Sequence, residues 1–195
     1  MDAQEKIRQR IIHAASERFR HYGFGKTSMA EIAADCDMSP GNLYRYFKNK
    51  LDIAESIVRR SLEKELVQLR DVVRAPGCSA AVKLENFILQ ELRYTYKQFE
   101  DYPTFVEHAH EIVHRRPLLI DEFLAASRAL LAEILAMGNA TGEFQVEDVV
   151  IAAEVIQSAT LKFRYPQLYS KSTLERLEEQ ARKVVKLLIL GLNES

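Results

Sequence analysis

The stretch that decides the fold is KTSMAEIAADCDMSPGNLYRYFKNKLDIAESIV, residues 26–58. Ser28 and Glu31 have the spacing of a capping box, which predicts that a short helix begins there. Ser39 followed by Pro40 is the N-cap and first-turn pattern of a second short helix, about two turns long. The three residues between these helices, Cys36, Asp37 and Met38, are predicted to form a tight connection.

Longer helices flank this pair. From Glu5 to Tyr22, apolar side chains recur at helical steps of three and four, beneath an arginine-rich face. Asp37 suits a left-handed turn between the short helices, because aspartate tolerates that conformation better than most non-glycine residues. The second short helix is predicted over 40–47, and Asn49 is expected to cap the next one. This order is typical of a helix-turn-helix unit, whose second helix enters the DNA major groove.

The second short helix carries side chains suited to DNA. Asn42 and Arg45 are residue types that pair with the edges of adenine and guanine. Its other candidate residues are Tyr44, Tyr46, Lys48 and Lys50. Tyrosines offer hydroxyls to phosphate or rings to the thymine methyl, and lysines beside a helix N-terminus favour anions. The alternative is that the tyrosines belong to the core and the lysines are solvated, but the ordered set favours DNA.

The segments TSMAEIA (27–33) and LYRYFKNK (43–50) resemble the DNA-binding domain of the tetracycline-repressor (TetR) family, over roughly residues 5–60. Where this chain has Asp37, the family commonly has glycine. The resemblance implies phosphate contacts by Thr27, Tyr44, Tyr46 and Lys50, and base contacts by residues 40–45. The expected DNA-binding residues are Thr27, Ser39, Pro40, Gly41, Asn42, Tyr44, Arg45, Tyr46, Lys48 and Lys50.

The expected fold is all-α, with about nine helices in two domains. Residues 1–50 are expected to form a three-helix DNA-binding domain with a helix-turn-helix, and residues 51–195 a ligand-binding and dimerisation domain. Beyond residue 50, periodicity and breaker residues predict helices over 51–73, 80–99, 104–115, 118–137 and 146–164, and a last one from a Ser172–Glu175 capping box to Gly191. A loop is expected over 138–142, which contains two glycines.

Composition, charge and the absence of certain motifs limit the classes of protein to which the chain can belong. The chain has 195 residues and a formal charge of −1, but residues 1–50 carry +3 and the remainder −4, as expected if only the first part meets phosphate. Two cysteines, a charged N-terminus and the lack of a long apolar run favour a cytoplasmic protein without a membrane span. No phosphate-binding glycine loop, nucleophile elbow or paired-cysteine zinc motif is present, so neither an enzyme nor a cofactor is expected.

The two helices predicted last in the chain have broad apolar stripes. Such stripes belong either to the core or to a subunit interface. The resemblance favours a four-helix interface between two subunits, which would place two recognition helices about one DNA turn (~34–36 Å) apart on a near-palindromic operator. The residues expected at this interface are Ile156, Ala159, Phe163, Leu177, Ala181, Val184 and Leu188.

Aromatic residues concentrate in the middle of the chain. They are either core or the walls of a ligand pocket, and the resemblance implies a pocket among these helices. The residues expected to bind ligand are Tyr94, Phe99, Tyr102, Phe105, His110, His114 and Phe123. Glu107, His110 and His114 share a predicted helical face with a spacing suited to a transition metal, but a solvated face or polar anchors for an organic ligand are favoured over metal.

Together these features predict a DNA-binding transcriptional regulator. We expect a homodimeric repressor that a small-molecule inducer of unknown identity releases from its double-stranded DNA operator. Two alternatives remain open at this point. One is a helical adaptor that binds other proteins, and the other is a metal-responsive regulator that uses the histidine face.

Overall fold

The computed structural model of the chain describes residues 3–101, 115–169 and 171–193. Ten helices and no strand lie in these ranges. The helices are α1 (Ala3–Tyr22), α2 (Met29–Asp35), α3 (Pro40–Tyr44), α4 (Lys50–Arg74), α5 (Ala80–Asp101), α6 (Pro117–Thr141), α7 (Val149–Ala159), α8 (Leu161–Arg164), α9 (Pro166–Tyr169) and α10 (Leu174–Gly191). The expected all-α fold is confirmed, and the helix predicted over 104–115 falls almost wholly outside the described residues.

The chain divides into two compact units. Unit 1 comprises the described parts of residues 1–63 and 101–120, and unit 2 comprises residues 64–100 with the described parts of 121–195. The division falls within α4, which is one continuous helix, as its periodicity predicts. Unit 1 therefore contains α1 to α3, and unit 2 contains α5, α7 to α10 and most of α6.

The core of unit 1 is built from the apolar stripe predicted for α1. Ile11 and Ala15 are fully buried, together with Ile32 of α2, Leu43 of α3 and Ile53 of α4. The short helices α2 and α3 each give this core one large, fully buried side chain, Ile32 and Leu43. Burial of this kind contributes about 25 cal/mol per Å² of apolar area.

The core of unit 2 draws on α4, α5, α6, α7, α8 and α10. Phe87 of α5, Leu131 of α6, Ile156 of α7 and Leu177 of α10 are each no more than 2% exposed and belong to one cluster. The start of α7 is fixed by Asp148, whose carboxylate accepts from the N–H groups of the next helical residues. The apolar stripes predicted along the last helices of the chain therefore face the core of their own chain.

The predicted loop over 138–142 is wrong, because α6 continues through Gly138 to Thr141. A Cβ at Gly138 would collide with the ring of Phe144, so this glycine allows an aromatic ring to pack directly on the helix backbone. The helix ends at Gly142 instead, which has a φ of +75°. There the N–H of Glu143 donates to the carbonyl of Gly138, at 2.9 Å.

Three other boundaries differ from the prediction. Helix α3 ends at Tyr44 and not at residue 47, because its last turn tightens into bonds from Arg45 and Tyr46 to carbonyls three residues back. The helix predicted over 146–164 is broken at Thr160, whose hydroxyl donates to the carbonyl of Ile156 at 2.7 Å. The last helix is capped by Thr173, which accepts from the N–H of Arg176, and not by the predicted Ser172–Glu175 box.

Candidate nucleic-acid interface

The turn between α2 and α3 has a defined geometry. Asp37 has a φ of +52°, so the left-handed turn predicted at this position is confirmed. The N–H of Met38 donates to the carbonyl of Ala33 at 2.9 Å, and that of Asp37 donates to Ala34 at 3.0 Å. These two bonds form a Schellman motif, which satisfies carbonyls at the end of α2 and fixes the direction in which the chain enters α3.

The caps on both sides of this turn are also as predicted. Ser28 and Glu31 form both bonds of the capping box at the start of α2. The hydroxyl of Ser39 accepts from the N–H of Asn42 at 3.2 Å, with Pro40 in the first turn of α3. Asn49 accepts from the N–H of Asp52 at 2.9 Å and so caps α4. Helices α2, α3 and α4 therefore each begin at a capping side chain within this segment.

Nine of the ten predicted DNA-binding residues are exposed or half-buried in unit 1. The exposed members are Ser39, Pro40, Gly41, Tyr44, Arg45 and Lys48, and the half-buried ones are Asn42, Tyr46 and Lys50. We call the nine together the recognition edge. Leu43 and Phe47, between them in sequence, are buried in the core of unit 1. A Cβ at Gly41 would meet nothing within 4 Å, and Tyr44 is 52% exposed.

Thr27 and Lys50 make contacts within the unit. Thr27 is buried, and its hydroxyl donates to the carbonyl of Gly23 at 2.9 Å. The ammonium of Lys50 donates to the carbonyls of Phe24 and Thr27, at 2.5 and 2.6 Å, and lies 4.4 Å from the centre of the Phe24 ring. These bonds hold the loop before α2 against the first turn of α4.

Arginines of α1 brace the helix-turn-helix, a role that the sequence did not reveal. Arg8 donates from Nη1 to the carbonyl of Tyr46 at 2.8 Å, and its guanidinium carbon lies 4.3 Å from the centre of the Phe47 ring. Arg10 donates to the carbonyl of Cys36, in the turn after α2. Both arginines therefore satisfy carbonyls at helix ends, where a cation is favourable.

Arg18 supplies a third link from α1. Its guanidinium donates to the carboxylate of Asp35 at 2.6 and 2.9 Å, and lies 3.2 Å from the carboxylate of Glu31. The hydrogen bond from Arg18 lowers the pKa of Asp35. Because α1 holds α2 and the end of α3 in this way, the recognition edge projects from a fixed base.

The residues predicted for subunit contact are mostly interior. Ile156, Phe163, Leu177 and Ala181 are no more than 3% exposed within the single chain. Val184 and Leu188 pack against the same core and are partly buried. Ala159 is the one exposed residue of the seven.

The same two helices expose other apolar side chains. On α7, Ile151 is 62% exposed and Val155 is 56% exposed, and with Ala159 they follow one another at steps of four. On α10, Leu187 is 69% exposed and Leu190 is 56% exposed. Each helix thus carries exposed apolar side chains, and of the residues predicted for subunit contact only Ala159 is among them.

The predicted ligand-binding residues are only partly described. Tyr94 and Phe99 are half-buried on α5, and Phe123 is buried on α6. Tyr102, Phe105, Glu107, His110 and His114 lie outside the described residues, and so does the proposed metal face. Among the described residues, no group of three or more histidines, cysteines or carboxylates is placed to hold a metal ion.

Unit 2 also buries a polar cluster, which we call the acid–arginine cluster: Glu65, Glu91, Ser127 and Arg164. All four are at most 4% exposed. Arg164 forms an ion pair with Glu91, and the hydroxyl of Ser127 donates to the same carboxylate at 2.9 Å. Burial raises the pKa of Glu65 to about 8, with a further contribution from Glu91.

Two family models match the chain. One, described as "Bacterial regulatory proteins, tetR family", covers residues 11–57, and the other, "Tetracyclin repressor-like, C-terminal domain", covers residues 80–185. The second model alone spans more than half of the chain. The chain belongs to the TetR family. It is therefore a DNA-binding transcriptional regulator with a helix-turn-helix, as the resemblance implied.

Curated relatives agree with the TetR assignment over the N-terminal part. The regulator UidR of Escherichia coli K12 is 36% identical over 69 residues, which is 35% of this chain and 35% of UidR. An HTH-type transcriptional regulator of Staphylococcus aureus USA300 is 34% identical over 71 residues, 36% of this chain and 38% of the relative. These matches cover little more than a third of either protein, and the proteins matched are regulators.

Solved structures match along nearly the whole chain. Salmonella enterica GusR has a TM-score of 0.72 and 25% identity, with 98% of both chains covered. Bacillus subtilis FadR, solved in complex with stearoyl-CoA, has a TM-score of 0.67 and 22% identity, with 95% of this chain and 99% of that chain covered. In the part of this TetR-family chain that the structure describes, no helix is long and apolar enough to span a bilayer.

Proposed function

We propose that the chain is a homodimeric repressor, which binds a near-palindromic operator through α3 and leaves it when a small molecule binds the C-terminal domain. The observation that carries this proposal is the recognition edge. In unit 1, residues suited to bases and phosphates are exposed or half-buried, while Leu43 of α3 and Phe47, which follows α3, are buried in the core. We assign DNA binding to residues 1–50, and ligand binding and dimerisation to residues 51–195.

On DNA, each part of the edge has a distinct role. Asn42 and Arg45 contact base edges in the major groove, as their side-chain donors and acceptors suit adenine and guanine. Tyr44, Tyr46 and Lys48 contact phosphates. Thr27 and Lys50, which hold the loop before α2, complete the phosphate contacts. Phosphate contacts fix the register of α3, whereas the base contacts select the sequence.

The homodimer forms through the exposed apolar strips. Ile151, Val155, Leu187 and Leu190 offer large apolar side chains that the single chain leaves more than half exposed. Large exposed apolar side chains that recur along a helix favour a protein interface on that helix. Ala159, at the end of the α7 strip, is small enough for two helices to approach closely.

Release by an inducer requires that the ligand binds more tightly to a conformation that does not fit the operator. FadR, a protein of the same fold, has been solved with stearoyl-CoA, which supports an organic ligand for the C-terminal domain here. If the distance between the two α3 helices of a dimer changes by a few ångström, the dimer no longer matches the ~34 Å repeat of the major groove.

The test starts with selection of bound duplexes from a random DNA pool. The proposal expects an enriched near-palindrome with nanomolar affinity. Ile151→Glu combined with Leu187→Glu is expected to give a monomer that binds the palindrome at least tenfold more weakly, measured by light scattering and by titration. The matched control is Glu63→Gln, an exposed position on α4. A stable dimer without any enriched duplex would favour the helical adaptor.

A further inference from the structure

We propose that the middle of α4 is held in the core of unit 2 by a single proton on Glu65, and that loss of this proton favours an open state in which α4 leaves the core. Neither DNA nor a small molecule is required, so the device lies beyond the proposed function. Glu65 lies two residues after the last residue that unit 1 takes from α4. The proton therefore acts where α4 passes from one unit to the other.

The hydrogen-bond donors of the acid–arginine cluster are shared unequally between its two acids. Arg164 pairs with Oε1 of Glu91 through Nη2, and the hydroxyl of Ser127 donates to the same oxygen at 2.9 Å. Oε1 of Glu65 is buried without a hydrogen-bond partner, and so are Nε and Nη1 of Arg164. In the part of the chain that the structure describes, no cation forms an ion pair with Glu65.

The charges of the cluster do not balance if both acids are ionised. Glu91 from α5 and Arg164 from α8 are the charged groups that act on Glu65. Helix α6 contributes only the neutral hydroxyl of Ser127. Two carboxylates and one guanidinium leave a net negative charge among side chains that are at most 4% exposed. A buried carboxylate without a counterion takes up a proton, and one proton on Glu65 makes the cluster neutral.

The pKa of Glu65 agrees with this geometry. Burial raises the pKa to about 8, with a further rise from the charge of Glu91 and an opposing decrease from Arg164. A glutamate in water has a pKa of about 4.5. Between these two values the packed state of α4 holds one proton more than the open state, so the open state becomes more populated as the pH rises.

Few side chains hold this part of α4 in the core. Among the buried members of the core cluster, α4 supplies Leu69 and Val73, while α5, α6, α7, α8 and α10 supply most of the others. Glu65 and Leu69 are one helical step of four apart and therefore share a face of α4. When that face separates from the core, the carboxyl of Glu65 reaches water and ionises. Local openings of this kind need less free energy than unfolding of the whole protein.

The wild-type protein gives the direct test. The side-chain carboxyl carbons of its glutamates are labelled with ¹³C and followed by NMR between about pH 5 and pH 9. One resonance is expected to titrate near pH 8 and to be missing from Glu65→Gln, which keeps the size of the side chain but has no charge. Glu63→Gln, at an exposed position on the same helix, is the matched control and should retain this resonance. If every glutamate titrates below about pH 6, Glu65 holds no proton and the inference is overturned.

Hydrogen exchange measures the opening of α4. The exchange rates of the wild type are divided by those of Glu65→Gln at the same pH, which cancels the pH dependence of exchange itself. For amides of residues 64–73, this ratio is expected to rise about tenfold per pH unit between about pH 6 and pH 8, because each opening releases one proton. For amides of α10 it should stay constant, and Glu63→Gln should exchange like the wild type.

Two results of the exchange experiment would overturn the inference. A ratio that does not change with pH would show that the proton does not hold α4. An equal rise along α4 and α10 would show that loss of the proton unfolds the whole of unit 2. Circular dichroism establishes whether the variants fold. If Glu65→Gln does not fold, the NMR titration and the ratio of α4 to α10 exchange rates within the wild type decide the question in the same way.

Discussion

In unit 1 the guanidinium of Arg8 lies at the end of α3, donates to the carbonyl of Tyr46 and covers the Phe47 ring, while one edge remains open to water. In unit 2 the guanidinium of Arg164 is 2% exposed and paired with the equally buried Glu91. The same group braces a surface in one place and carries a full charge into an apolar core in the other. The surroundings, and not the residue type, decide what an arginine contributes to each unit.

The largest effect is expected at the buried ion pair. Arg164→Met leaves Glu91 charged and uncompensated in the core, and should lower the free energy of unfolding by about 3–5 kcal/mol. Arg182→Met is the matched control, because Arg182 is 47% exposed in its pair with Glu85 and should cost only about 0–1 kcal/mol. Urea unfolding of both variants measures the difference. Equal losses would contradict the comparison between the buried and the exposed pair.

The next effect concerns base selection in unit 1. Arg45→Ala should weaken binding to the selected operator by about 1–3 kcal/mol and relax the preference at one base position. Fluorescence titration against the operator and its single-base variants measures both quantities. If Arg45→Ala keeps the wild-type base preference at every operator position, Arg45 does not contact a base.

A smaller effect is expected at Arg8, whose guanidinium braces the end of α3. Arg8→Ala should weaken binding to all duplexes by about 1 kcal/mol, because the end of α3 loses a charged donor, and should leave the salt dependence unchanged. Arg8→Lys keeps the charge but loses the planar contact with Phe47, and should restore only part of the affinity. If Arg8→Ala flattens the salt dependence and lysine restores it, Arg8 contacts phosphate directly and is not a brace.

The smallest effect on affinity is expected at an exposed cation. Lys48→Ala should weaken binding to every sequence and reduce the slope of log K against log salt by about one. Titrations at several salt concentrations measure this slope for the wild type, Lys48→Ala and Arg8→Ala together. If Lys48→Ala loses affinity for only some DNA sequences, Lys48 does not act through phosphate. Lys48 and Arg8 could then not be separated into a cation that binds phosphate and a cation that braces α3.

Local signals allowed most of unit 1 to be predicted from sequence. Caps depend on residues three positions apart, so Ser28 with Glu31, Ser39 with Asn42 and the turn at Asp37 were all found where expected. The arginine braces were not found, because Arg8 and Tyr46 are 38 positions apart and no local pattern joins them.

Unit 2 was predicted less well, for a related reason. Periodicity identifies an apolar stripe but does not say whether the stripe faces its own core or a second subunit, and Ile156 and Leu177 face the core. A signal for the acid–arginine cluster was present, since Glu91 occupies a helical step of three or four on the apolar face that includes Phe87 and Leu84. A charge at such a position is expensive to bury, and its partner, Arg164, is 73 positions away.

Two glycines of this chain would behave differently in a survey of every single substitution. Gly138 lies under the ring of Phe144, so even alanine is excluded there by the protein itself. Gly41 has an ordinary helical backbone and no neighbour within 4 Å of an added Cβ, so alanine there is compatible with folding and favoured by helix propensity. A selection for folded protein is expected to accept Gly41→Ala, whereas under the proposed operator contact of α3 a selection for operator binding is expected to reject it.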